Sequence, residues 1–156
     1  MYQRILVPVD GSITSNRGLE EAVQLARLTR GRLRLVHVVD ELSFALAMDA
    51  YAGHAGDWVK ELRAEGVRIL AQAKATVSAT GVEVDSVLHD GFKKTVHERV
   101  VADAAGWPAD LIVLGTHGRR GVKRLVLGSS AENILRLSSV PVLLVRAPTD
   151  EQAKAP

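Results

Sequence analysis

The chain of 156 residues contains no cysteine. That absence excludes thiol catalysis, cysteine-ligated zinc, iron–sulfur clusters and a disulfide framework, and it is compatible with a reducing compartment. A marked excess of one charge is missing too: 20 Lys+Arg stand against 18 Asp+Glu, a formal net charge of +2. So small an imbalance gives little non-specific pull toward nucleic acid, because steering depends on the density and clustering of charge. Aromatic residues are scarce, and none interleaves with the basic run Arg119, Arg120, Lys123 and Arg124. The stacking platforms that a single-strand binder uses are therefore not there. Long apolar runs are also absent. The stretch from Leu42 to Ala52 is interrupted by Ser43 and Asp49 and falls short of the ~20 apolar residues of a spanning helix. Ile5-Leu6-Val7 before Pro8 is too short for the core of a secretory signal. The expectation is a cytoplasmic protein that contacts neither membrane nor nucleic acid.

What remains is an ordinary globular composition, and a chain of this length buries roughly 68–70% of its unfolded surface without staples. One domain over residues 1–147 is expected, with 148–156 as a polar, disordered tail. Residues 4 to 9 form a β-branched apolar run that ends at the turn cluster Asp10-Gly11-Ser12, and they read as a buried strand. A helical stripe follows at Leu19, Ala22, Val23, Ala26 and Leu28, with Ser12, Thr14 or Ser15 as its cap and Gly31 as its stop. Residues 32 to 39 read as a second strand, and 40 to 56 as a long loop or partly helical lid. Leu62, Ile69, Leu70, Ala73 and Val77 mark a helix over about 57–80, and 82 to 89 a third strand. Val96, Val100, Val101 and Ala104 mark the next helix, ended by Trp107-Pro108. Leu111-Ile112-Val113-Leu114 is wholly apolar, as a central parallel strand should be. The last helix spans about 129–137 with Ala131, Ile134, Leu135 and Leu137 inward, and Pro141 opens a final strand, Val142 to Val145, at a sheet edge. The order β-α-β-α-β-α-β-α-β demands a parallel sheet with right-handed crossovers, a doubly wound α/β domain.

Open α/β sheets bind ligands beyond the carboxyl ends of their strands, where strand order reverses. Beyond strand four lies Gly115-Thr116-His117-Gly118, and the segment continues to Gly128-Ser129-Ser130 at the start of the last helix, a Gly-x2-Gly-x9-Gly-Ser spacing. Glycines at a strand end and a helix start let backbone N–H groups approach an anion, and the helix dipole favours negative charge there. The two serines add hydroxyl donors. Neither the dinucleotide fingerprint nor the P-loop pattern occurs.

These residues resemble the universal stress protein family, specifically its ATP-binding branch. The likeness covers about residues 2 to 146 and rests on Ile5 to Ser12, Val36-His37-Val38, Ala109 to Gly118, Leu127 to Glu132 and Val140 to Val145. It implies an adenine nucleotide alpha-hydrolase-like sheet ordered 3-2-1-4-5, with Asp10 and Gly115 facing each other at the switch point. It also implies that Pro8, Val9, Asp10 and the Val38 backbone lie at the adenine and ribose end. Gly115 and Thr116 would stand near the ribose, and Gly118, Gly128, Ser129 and Ser130 around the phosphates. ATP would be the cofactor, with Mg2+ held mainly through its phosphates, since the chain offers no dedicated metal cage. A homodimer would form when the strand Val142-Leu143-Leu144-Val145 pairs antiparallel with its mate, an edge that would otherwise invite aggregation.

The basic run from Arg119 to Arg124 reads either as a solvated loop that closes over ligand or as a source of one direct phosphate contact. His97-Glu98 begins like the helical zinc motif, but position 101 is Val, so the metal reading fails. His37 in an apolar strand reads as a satisfied core histidine, and His117 as either a phosphate neighbour or a local turn residue. No Gly-x-Ser-x-Gly and no Ser/His/Asp set can be assembled. The function expected is an ATP-binding stress-response regulator that acts on an unidentified protein partner, with at most weak hydrolysis. The alternatives are an interaction module without bound ATP and a slow nucleotide hydrolase.

Overall fold

The computed structural model describes residues 1–40, 55–91, 93–116 and 127–146. The elements are β1 (Arg4–Pro8), α1 (Ile13–Thr29), β2 (Arg32–Val38), α2 (Ala55–Ser78), β3 (Val84–His89), α3 (Val96–Gly106), β4 (Leu111–Gly115), α4 (Ser129–Leu137) and β5 (Val142–Val145). The five strands form one parallel sheet in the order β3-β2-β1-β4-β5. Strand order reverses between β1 and β4, as expected.

The alternation of side chains along each strand divides the core in two. Ile5 and Val7 of β1, Leu33 and Leu35 of β2 and Leu111 and Val113 of β4 pack on one face against Leu19, Ala22 and Ala26 of α1 and Leu70, Ala73 and Val77 of α2. Leu6, Val36, Ile112 and Leu114 pack on the other face against Val100 and Ala104 of α3 and Ala131 and Ile134 of α4. The central strands are thus covered on both sides, which is why their sequences run continuously apolar. The edge strands β3 and β5 are half-buried along their whole length.

Local chemistry sets the helix ends. Ser12 caps α1, its hydroxyl accepting from the Ser15 N–H, and Arg30 ends the helix in the left-handed region. Thr95 and Glu98 form a reciprocal capping box on α3. Three apolar expectations fail. Leu28 is 82% exposed, because it lies off the stripe that Leu19, Ala22, Val23 and Ala26 define on α1. Leu135 and Leu137 are about half exposed as well. The inward stripe of α4 is only Ala131 and Ile134, since Leu135 is one 100° step away from Ile134 and Leu137 is the terminal residue. Of residues 40–56, expected as a loop or partly helical lid, Ala55 and Gly56 already belong to α2, while 41–54 and the tail 148–156 lie outside the described residues.

Candidate functional site

Pro8 ends β1 and has no N–H, so the ladder to β2 is carried one residue further on, where the Val9 N–H donates to the Val36 carbonyl at 2.8 Å. The Val9 carbonyl takes a 2.7 Å bond from His37 Nδ1. A carbonyl can only accept, so that ring nitrogen carries the proton. His37 is buried, as a satisfied core histidine should be. Gly66 of α2 makes room for it, since a Cβ there would lie 2.7 Å from the imidazole Cδ2. Val38, the last residue of β2, stands two positions beyond Val36 on the neighbouring strand.

Asp10 closes the turn that follows. Its Oδ1 accepts from the Ser12 N–H at 2.9 Å, and its own N–H donates to the Ser15 hydroxyl at 3.2 Å. Ser15 is buried in the first turn of α1, and that turn lies directly on Gly115. A Cβ on Gly115 would collide with the Thr14 carbonyl and sit 2.9 Å from the Ser15 nitrogen, while a Cβ on Gly18 would lie 3.1 Å from the Gly115 nitrogen. Ser15 therefore stands between Asp10 and Gly115. Sequence alone offers Ser15 only as a possible cap and does not mark out Gly18. Their three-residue spacing on the buried stripe of α1 was the available signal of a close helix-to-strand approach. The glycine at 115 is thus demanded by α1.

Gly128 is different. Its φ of −59° and ψ of 144° suit any residue, and a Cβ there would meet only the Thr116 carbonyl, at an ordinary 3.7 Å. It is the N-cap of α4 and offers no side-chain cap, where Ser, Thr, Asn or Asp would bond the first turn. Its N–H donates to the Thr116 carbonyl at 3.1 Å, which joins the end of β4 to the start of α4. Thr116 is also tied to the edge strand by its N–H, 3.0 Å from the Val145 carbonyl. Ser129 is exposed and Ser130 half-buried. Asp10, Gly115, Thr116, Gly128, Ser129 and Ser130 are in this way linked around the β1/β4 switch, whereas Gly118, His117 and the basic run 119–124 lie outside the described residues. His97 and Glu98 are accounted for by the α3 cap, His97 Nε2 lying 3.1 Å from the Thr95 hydroxyl and Glu98 accepting from the Thr95 N–H at 2.8 Å.

A doubly wound sheet in this order, with its glycine-serine helix start at the switch point, is the adenine nucleotide alpha-hydrolase-like fold, and its structural neighbours share it. The family model described as the universal stress protein family matches residues 1–146, and the chain belongs to that family. It is 33% identical over 151 residues to universal stress protein YxiE of Bacillus subtilis, an alignment that takes in 94% of this chain and 100% of that one. Among solved structures, that of MJ0577 from Methanocaldococcus jannaschii superposes with a TM-score of 0.81 at 27% identity, covering 96% of this chain and 99% of the other. A universal stress protein in complex with cAMP superposes with a TM-score of 0.64 at 25% identity, covering 92% of this chain and 97% of that one. Among the described residues no helix is long and apolar enough to cross a membrane.

Proposed function

We propose that this chain is an ATP-binding universal stress protein, a nucleotide-dependent regulator with at most weak hydrolysis. The observation that carries the reading is the bare backbone of Gly128. The fold would accept a side chain at this position, yet the residue beside Thr116 and before two serines has none. A helix start without a side-chain cap, flanked by hydroxyls, suits a phosphate. In this reading Pro8, Val9, Asp10 and the Val38 backbone take the adenine and ribose end, Gly115 and Thr116 the ribose, and Gly118, Gly128, Ser129 and Ser130 the phosphates. A solved universal stress protein in complex with cAMP supports an adenine nucleotide as the class of ligand.

Among the described residues no three His, Cys, Asp or Glu side chains stand together as a metal site. In this reading Mg2+ is held mainly through the oxygens of the bound phosphates. Efficient phosphoryl transfer needs an anchored metal, a cationic clamp and a base. Asp10, already accepting the Ser12 N–H, supplies one carboxylate, enough for slow turnover. The edge strand β5 would pair with a second copy, which removes an exposed apolar edge. Nucleotide occupancy would then alter the surface of the 119–127 segment that a protein partner reads, in the cytoplasm.

The test is to denature the purified protein without added nucleotide and identify the released small molecule by mass spectrometry. ATP near one equivalent is expected. Gly128→Val should abolish its retention while leaving the thermal unfolding midpoint within a few degrees of the parent. An empty protein that also fails to bind added ATP would overturn the reading in favour of a ligand-free interaction module.

A further inference from the structure

At the opposite, amino end of the strands, the starts of β1 and β2, the end of α1 and the segments leading into β3 and β4 line an open cleft of about 350 Å³. Arg4, Arg30 and Arg32 line it, together with Glu83 and Asp110. Arg4 and Arg32 are register partners in the parallel β1/β2 pair. Their side chains therefore leave the same face of the sheet side by side, and like charges so placed repel. The carboxylates do not resolve this. Asp110 spends its oxygens on the backbone N–H groups of Gln3 and Arg4, each at 3.0 Å. Glu83, mostly exposed, lies 3.5 Å from Arg32, whose guanidinium also lies over the Trp107 ring at 5.5 Å from its centroid, so of this pair the charge left without a partner among the described residues is that of Arg4.

Among the described residues, neither Arg4 nor Arg30 has a carboxylate within ion-pair distance. Arg4 Nε is buried without a hydrogen-bond partner, a state that a native structure seldom leaves unexplained. Arg34, two residues along β2 from Arg32, shows the contrast. It holds Asp85 at 2.7 Å and Asp103 at 3.5 Å, and its pKa is raised chiefly by the Asp85 hydrogen bond. Arg30 also occupies a conformation that does not favour it. With φ at 55° it sits in the left-handed region at the end of α1, the position where glycine is the unstrained residue.

We propose that this cleft is a second binding site, for a small phosphate-bearing polyanion of about pyrophosphate size. Guanidinium forks match phosphate oxygens in geometry and charge. An anion between Arg4 and Arg32 converts their repulsion into two attractions, and the polar-lined cleft has room for it. The site lies at the far end of β1 from Asp10, roughly 20 Å away at about 3.3 Å per residue, so it is separate from the nucleotide crevice and does not depend on it.

The full chain is to be titrated at low salt with pyrophosphate and, separately, with glycerol 3-phosphate, followed by amide chemical shifts. Saturable one-to-one shifts centred on Gln3, Gly31, Arg32 and Glu83 are expected, and the tighter of the two probes says whether the ligand is an inorganic anion or a phosphate ester. Arg30→Gly separates this role from a structural one. It should raise the unfolding midpoint by relieving the left-handed strain, while weakening the probe by about tenfold or more, the loss of one charged hydrogen-bonding group. Arg4→Gln should weaken it likewise, and Gly128→Val should leave these shifts unchanged. Shifts confined to Gly128–Ala131, shifts that do not saturate, or an Arg30→Gly protein that is stabilised and binds as before would each overturn the proposal.

Discussion

His37 and Val9 are joined by a 2.7 Å hydrogen bond from the imidazole Nδ1 to a buried carbonyl, just where β1 gives way to the Asp10 turn. A side chain from β2 thereby holds the backbone at the mouth of the switch point. His37→Phe keeps the ring and removes the donor, leaving that carbonyl unsatisfied. It is expected to destabilise the fold by about 1–3 kcal/mol, read from urea denaturation, and to weaken ATP retention because Asp10 follows directly. A variant as stable as the parent would mean that the Val9 carbonyl does not rely on the ring.

Gly115 and Gly128 belong to one sequence pattern but carry different loads. A methyl group at 115 meets the backbone of Thr14 and Ser15, which cannot move without shifting α1, whereas the same group at 128 meets one carbonyl at 3.7 Å. Gly115→Ala is therefore expected to cost about 1–3 kcal/mol or more, the range of overpacking in a tight core. Gly128→Ser should be neutral or stabilising by a few tenths of a kcal/mol, since it adds a cap. Denaturant midpoints of the two variants decide the matter, and equal losses would contradict the packing argument.

The fold was legible in the sequence because its two signals are local. Apolar runs such as Leu111 to Leu114 mark strands covered on both faces, and stripes such as Leu19, Ala22, Val23 and Ala26 mark helices laid on them. The failures came at Leu28, which lies off the buried stripe of α1, and where a helix covers little. Leu135 and Leu137 are apolar but α4 is nine residues long, and only Ala131 and Ile134 reach the sheet. For the candidate site, spacing pointed to Gly115, Thr116 and Gly128 but could not assign their causes. That Gly115 answers to α1 depends on contact with Thr14 and Ser15, a hundred residues away in sequence. The paired arginines at the amino end of the central strands were equally hidden, because Arg4 and Arg32 become neighbours only through strand register.

The cap of α3 gives a pH dependence with a defined sign. The Glu98 carboxylate accepts hydrogen bonds from the Thr95 N–H and hydroxyl, and the backbone bond is the largest cause of a pKa lowered from its ordinary 4.5. A carboxylate with a lowered folded-state pKa contributes stability that is fully present above the unfolded value and is lost as pH falls through the folded one. Gln at 98 can keep the reciprocal cap but not the charge at the helix N-terminus. Glu98→Gln should therefore unfold at a lower temperature than the parent at pH 7, and the gap should close as pH falls below the ordinary carboxylate range. Melting both proteins at pH 7 and near pH 3 checks this. A gap that persists unchanged in acid would assign the effect to side-chain shape, and no gap at pH 7 would show that the ionised cap adds nothing to the helix.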